Sequence, residues 1–162
     1  MKKYLDTFNQ IILPLRKNYS GSNVYIGGSA ALKLHGLTLN REINDLDIVI
    51  LNSTNQQADY LESIKFFNTP VNEKYPNGNT CLRFVKDNLV LNVLLDRKEN
   101  FAQFNEDDLL YYSYQELFYK VCPVSMIMEA KRKYIKERTE GNYVRQKDML
   151  DFIDLKNSNF NY

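Results

Sequence analysis

Residues 24–50 read VYIGGSAALKLHGLTLNREINDLDIVI, and no other stretch constrains the fold as much. Val24 to Ile26 is a short apolar run that reads as a buried strand. Gly27-Gly28 is a turn, and Ser29 to His35 reads as a helix stopped by Gly36. Asp45 to Leu51 is a second strand, opening on Asp-Leu-Asp. Side chains alternate on a strand, so Asp45 and Asp47 share one face while Leu46 and Ile48 take the other. Strand, tight turn, helix and strand in immediate succession call for an α/β core.

The rest of the chain extends that core. Leu5, Phe8, Ile11, Ile12 and Leu15 fall at helical spacing, which predicts an amphipathic helix over about residues 2–17, with Pro14 near its end. Ser20, Gly21 and Asn23 make a turn. Residues 54–67 read as a helix with Leu61, Ile64 and Phe67 on one face. Pro70 to Asn79 reads as loop. Thr80–Val85 and Leu89–Leu95 flank Lys86-Asp87-Asn88 and read as a hairpin. An acidic turn, Glu106-Asp107-Asp108, precedes a strand-like run from Leu109 to Val121. Pro123 and Ser125 open a helix running to about Arg138. Gly141-Asn142 breaks it, and Tyr143 to Leu155 is the last helix. No repeat or low-complexity linker divides the chain, so the 162 residues read as one α/β (α+β) domain. Its core spans about 20–122 and its C-terminal helices about 124–156.

Composition excludes several classes of function. Hydrophobic residues make up 44% and charged residues 25%, the balance of an ordinary globular protein. The net charge of +1 gives no global basic field for nucleic acid, although a local patch is compatible with it. The two cysteines, Cys81 and Cys122, form no pattern and read as reduced thiols in strands. The single histidine, His35, argues against a His-based zinc site or a Ser-His-Asp triad. No segment reaches the ~18 apolar residues of a membrane span. The opening MKKYLDTFNQ lacks the apolar region of a signal peptide, so a cytoplasmic location without membrane attachment is the expectation.

Two carboxylates closing on one strand face repel, and burial makes this worse. A Mg²⁺ ion resolves the conflict by taking carboxylate oxygens together with substrate phosphates. Two solvated aspartates at a strand start are the plainer reading of the triplet taken alone. Glycine at Gly27 and Gly28 lets backbone approach a ligand, and the first N–H groups of the next helix favour an anion. Ser29 is placed to cap that helix and donate to a phosphate, or to serve as a plain N-cap after the turn. The joint arrangement is the specific signal: it places an anion turn and paired carboxylates at one edge of a sheet.

This joint arrangement resembles the signature of the DNA-polymerase-β-like nucleotidyltransferase superfamily, in which an apolar residue, Gly, and Gly or Ser lead into a helix, followed by Asp-apolar-Asp on a strand. GGSAALKLHG with NDLDIVI is similar to its minimal and abortive-infection toxin branches. Lys131 in EAKRKYIKER and Arg145, Lys147, Asp148 and Asp151 in YVRQKDMLDF are similar to the C-terminal helices of the toxin branch. The resemblance implies a mixed sheet flanked by helices. It further implies an NTP substrate, Mg²⁺ on Asp45 and Asp47, and transfer of a nucleotide to a hydroxyl of RNA or protein. Gly27, Gly28 and Ser29 would cradle phosphate. Arg41 would meet a phosphate, stand as a surface charge or pair with a nearby acid, and Lys131 would help hold a triphosphate or lie solvated on its helix; Lys147 and Asp148 would pair with the site or with neighbours on their helix.

Two departures stand out. The superfamily carries a third carboxylate on a later strand, and the matching position in VLNVLL is Asn92. A neutral amide is a poorer metal ligand, so a second metal loses its charged anchor. Asp96 follows too far along the strand to replace it. The spacing from Ser29 to Asp45 is also long for the simplest pattern, which a longer loop over residues 38–44 would absorb. The alternative reading is therefore a module that keeps the fold without catalysis and serves a partner: a toxin–antitoxin mate, another copy of itself, or neighbours in a phage particle. The dense Tyr111, Tyr112, Tyr114 and Tyr119 suit sheet packing or such an interface.

Overall fold

A computed structural model describes residues 2–18, 23–51, 53–63, 71–74, 80–86, 88–95, 107, 109–115, 117–140 and 146–158. The elements run α1 (Lys2–Asn18), β1 (Asn23–Ile26), α2 (Gly28–Leu34), β2 (Asp45–Leu51), α3 (Asn55–Ser63), β3 (Val71–Lys74), β4 (Thr80–Lys86), β5 (Leu89–Leu95), β6 (Leu110–Tyr114), β7 (Leu117–Val121), α4 (Val124–Glu140) and α5 (Gln146–Asn157). The strands form one mixed sheet in the order β3-β4-β5-β2-β1-β7-β6. This is the α/β architecture the sequence predicts, with helices flanking the sheet and a helical C-terminal part.

The two strands of the opening stretch sit at the sheet's centre. β1 pairs antiparallel with β2, Ile26 opposite Ile48. β2 runs parallel to β5, Asp47 opposite Asn92, and β5 runs antiparallel to β4, Asn92 opposite Arg83. Alternation then sorts the side chains. Leu46, Ile48 and Ile50 are fully buried, together with Leu82, Phe84, Leu91, Val93 and Leu95. The opposite face of the same strands presents Asp45, Asp47, Asn92 and Arg83 to the site described below. A central position suits this division, because both faces of a central strand are covered and its register cannot slip without burying the carboxylates in the core.

Local chemistry sets most element ends. Thr54 and Gln57 form a reciprocal cap at the start of α3: the Gln57 N–H donates to Thr54 Oγ1 at 3.2 Å, and the Thr54 N–H to Gln57 Oε1 at 2.9 Å. Asn88 takes φ 65° in the β4–β5 turn, as Asn tolerates in a two-residue hairpin loop. Pro123 precedes α4 and accepts from the Ile127 N–H at 3.2 Å. At the N-terminus α1 spans the predicted helix, Pro14 included, and buries Leu5. The side chains of Phe8, Ile11, Ile12 and Leu15 lie outside the described residues, as do Ser20, Gly21, Ile64, Phe67, Asp87, Asp96, Glu106, Asp108, Gly141, Asn142 and Arg145.

The strand assignment differs from the expectation in two places. Val71–Lys74, expected as loop, is the edge strand β3, paired with β4 from Val71 opposite Arg83 to Lys74 opposite Thr80. VNEK has no apolar alternation to announce a strand; its partner supplies the pairing. The run from Leu109 to Val121 is two strands rather than one. Gln115 turns the chain with φ 49°, and β6 folds back on β7 with Tyr112 opposite Tyr119. Aromatic residues on both sides conceal the turn from a pattern-based reading.

α5 is inverted relative to an ordinary surface helix. Its buried residues are Asp148, Asp151, Asp154 and Leu155, while Met149 and Ile153 are 45% and 51% exposed. Buried carboxylates require partners, and these lie in the site.

Candidate active site

The turn after β1 is pressed against β2. The Gly27 N–H donates to the Asp47 carbonyl at 2.8 Å. Gly28 takes φ +56°, and a Cβ built there would lie 1.9 Å from Asp47 Oδ2. Only glycine meets both conditions. Gly27 is the N-cap of α2 and no side chain caps that helix; this corrects the expectation that Ser29 caps it. His35 is the C-cap, and its Nε2 donates to the Cys122 carbonyl at 2.9 Å.

Asp45, Asp47 and Asn92 meet as the strand parity requires. The Asn92 amide Nδ2 donates to Asp47 Oδ1 at 2.9 Å and, more weakly, to Asp45 Oδ2 at 3.4 Å. Lys147, from the start of α5, reaches Asp45 Oδ2 at 2.9 Å. Burial, then the charge of Asp45, pushes the Asp47 carboxyl above its ordinary range, and Asn92, Lys147 and Lys131 only partly offset this.

Beside the carboxylates lies a second, more deeply buried set. Asp151 is fully buried and lies at its centre. It accepts from Ser29 Oγ at 2.7 Å, from Arg41 Nε at 2.8 Å and Arg41 Nη2 at 2.7 Å, and from Lys131 Nζ at 2.8 Å. Arg41 also donates to Ser29 Oγ. Lys131 bonds Asp148 Oδ1 at 3.0 Å. Two cations thus face two carboxylates. Burial alone would push the Asp151 carboxyl up; Arg41, Lys131 and Ser29 outweigh it and hold it below the ordinary carboxylate range. Next to this set, the Asn40 N–H donates to Asp154 Oδ2 at 2.9 Å. These bonds fasten α5 to the turn and to the loop before β2.

A cavity of about 250 Å³ opens on the carboxylates. Gly27, Gly28, Ser29, Asp45, Asp47 and Asn92 line it, with Arg83, Lys131 and Lys147 as its cations. Its apolar wall includes Cys81, Cys122, Met126 and Ile127. Neither cysteine forms a disulfide; burial, then the charge of Asp47, pushes the Cys122 thiol up to about 12, so it is held protonated.

The structure therefore brings Gly27, Gly28, Ser29, Arg41, Asp45, Asp47, Asn92 and Lys131 together, and Arg41 takes the expected pairing with a nearby acid. Ser29 and Arg41 bond Asp151 inside the protein, and Lys131 is buried on two aspartates instead of lying solvated. Sequence reading named Lys147, Asp148 and Asp151 but missed Arg83, Asp154 and the burial of the acidic face of α5. The β4–β5 hairpin register contained the first signal, since it places Arg83 opposite Asn92. Asp148, Asp151 and Asp154 recur every third residue, which contained the second.

The donors fit one divalent cation. Lys147 and Asn92 engage Asp45 Oδ2 and Asp47 Oδ1, while Asp45 Oδ1 and Asp47 Oδ2 accept no hydrogen bond from a described residue. Two open carboxylate oxygens on one strand face are the hard ligands Mg²⁺ takes. Among the described residues no group of three or more His, Cys, Asp or Glu is placed to hold a metal, and none of them supplies a third acid to Asp45 and Asp47.

No protein-family model matches the chain, and no curated protein matches it. Among solved structures, the chain is similar to the solution structure of the antibiotic-resistance factor ANT(2'')-Ia, a nucleotidyltransferase of the polymerase-β-like fold. The identity is 13%, the TM-score 0.58, and the match covers 97% of this chain and 85% of that one. The fold is thus of nucleotidyltransferase type. No described helix is long and apolar enough to cross a membrane.

Proposed function

We propose that the protein is a Mg²⁺-dependent nucleotidyltransferase that moves a nucleoside monophosphate from an NTP to a hydroxyl of RNA. The observation that carries this reading is the cavity of about 250 Å³ on whose wall Asp45 and Asp47 leave one oxygen each open. Both carboxylates line that cavity beside a glycine turn.

The chain's own residues bind and orient the substrate. Gly27 and Gly28 bring backbone close to the phosphates, and Lys147 adds a positive charge next to them. A bound Mg²⁺ on Asp45 and Asp47 would neutralise phosphate oxygens as charge builds on them. In the transfer, the acceptor oxygen bonds to the α-phosphorus, the bond from that phosphorus to the bridging oxygen breaks, and pyrophosphate leaves. The acceptor proton passes to water, because Asn92 is an amide and takes none.

Arg83 favours RNA as the acceptor. Lys131 and Lys147 are each paired with a carboxylate, whereas the cavity's remaining cation, Arg83, has no carboxylate partner among the described residues. It is exposed and stands opposite Asn92 on the neighbouring strand. An unpaired guanidinium suits a phosphate and repels a cationic acceptor.

The test is incubation with each α-phosphate-labelled NTP, Mg²⁺ and total RNA. Label should move to RNA and should not move with Asp45→Asn/Asp47→Asn. A specific observation favours the second reading, a non-catalytic partner-binding module: Asn92 stands where a third acid is expected. That reading prevails if no NTP gives label transfer and none shifts the melting temperature in the presence of Mg²⁺.

A further inference from the structure

We propose that Lys147 is the built-in counter-cation of this site, so that the protein holds one divalent ion per chain and needs no second. The inference rests on the metal reading above and goes beyond it by assigning the second positive charge to a side chain.

The argument begins with charge. Asp45 and Asp47 bring two negative charges, and Asn92, opposite Asp47, brings none. Lys147 brings one positive charge and places it on Asp45 at 2.9 Å. Three acids would need two divalent ions to relieve their repulsion; two acids with a lysine leave a single net negative charge, which one ion over-balances in favour of phosphate.

Oxygen occupancy leads to the same result. Asp45 Oδ2 holds the ammonium and Asp47 Oδ1 holds the Asn92 amide. Each carboxylate therefore has one oxygen used and one open, which is enough for one shared ion.

The lysine is delivered by structure rather than by chance. Its neighbour Asp148 bonds Lys131, and Asp151, one turn further along α5, bonds Ser29, Arg41 and Lys131. In that buried set two cations cancel two carboxylates, so Lys147 is not drawn into it. Its side chain is 33% exposed and that of Asp45 16%, which limits screening of the pair by water.

The experiment counts Mn²⁺ bound to the full-length chain by electron paramagnetic resonance of the free ion. The wild-type chain should bind one Mn²⁺. Lys147→Met should bind one at least about tenfold more tightly, because a competing positive charge has gone. Lys147→Arg should keep the wild-type affinity. Lys147→Met/Asn92→Asp should bind two. If Lys147→Met binds as the wild type does, and the double variant still binds one, the inference is overturned while the metal reading stands. If the wild-type chain binds no Mn²⁺, the metal reading falls and takes the inference with it. A folded far-ultraviolet spectrum for each variant excludes unfolding as the cause.

Discussion

Gly28 and Asp47 are in contact across the turn and the strand: a methyl group on Gly28 would come 1.9 Å from Asp47 Oδ2. The turn and the carboxylate are therefore one structural unit. The oxygen nearest Gly28 is also the one left open for a cation.

Gly28→Ala is expected to cost more than Gly36→Ala. Both glycines have positive φ, but nothing lies within 4 Å of a Cβ at Gly36. The Gly36 variant should lose about 1 kcal/mol from backbone strain alone. The Gly28 variant must also displace Asp47, so it should lose more stability and its Mn²⁺ binding. Urea unfolding of the two variants side by side checks this; equal losses would contradict the contact.

Asp47→Asn is expected to stabilise the metal-free protein. Burial, then Asp45, raises the Asp47 carboxyl, so the folded state holds that proton more tightly than the unfolded chain does. The ionised form then costs stability. The cost is absent below the ordinary carboxylate range near pH 4 and grows as pH rises through the raised value. At pH 7 the variant should melt higher by about 3 °C, the shift that about 1 kcal/mol gives in a chain of this size. Added Mg²⁺ should no longer raise its melting temperature. A lower melting temperature without metal would count against the buried repulsion.

Asp151→Asn is expected to be strongly destabilising, by about 3–5 kcal/mol, because it leaves Arg41 and Lys131 buried without their shared carboxylate. The Asp151 carboxyl is lowered in the folded state, with the cations outweighing burial. Its contribution is therefore present above the ordinary carboxylate range and is lost as pH falls through the lowered value. Wild type should lose stability on acidification below about pH 4, and the variant should show less of that loss. Denaturant unfolding at a series of pH values measures both.

Arg83→Gln is expected to leave stability within about 0.5 kcal/mol of wild type, since the side chain is exposed. It should weaken binding of single-stranded RNA and lower the salt dependence by about one phosphate contact. Fluorescence anisotropy across a salt series reads this out. An unchanged slope would remove Arg83 from the acceptor site.

The melting and binding experiments bear on features that differ in how far the primary structure announces them. The order strand, glycine turn, helix, strand was legible, because backbone freedom at glycine and the two-residue repeat of a strand are local properties. The shared face of Asp45 and Asp47 was legible for the same reason, whereas only the family resemblance marks Asn92 as the place of a third acid. β3 was not, since VNEK becomes a strand only because β4 offers it an edge. The Gln115 turn was not, because aromatic residues on both sides give one unbroken β pattern.

Local chemistry in the chain thus determined the core sheet, the turn and the residues facing the cavity. The tertiary structure alone decided which charge meets which. Arg41 joins Asp151 across 110 residues and Lys147 joins Asp45 across 102. No spacing rule reaches that far. The outcome depends on the energy of burying charge: once α5 packs with its acidic face inward, Asp148 and Asp151 must find cations. Arg41 and Lys131 are those cations, and Lys147 is left for the carboxylates of the open site.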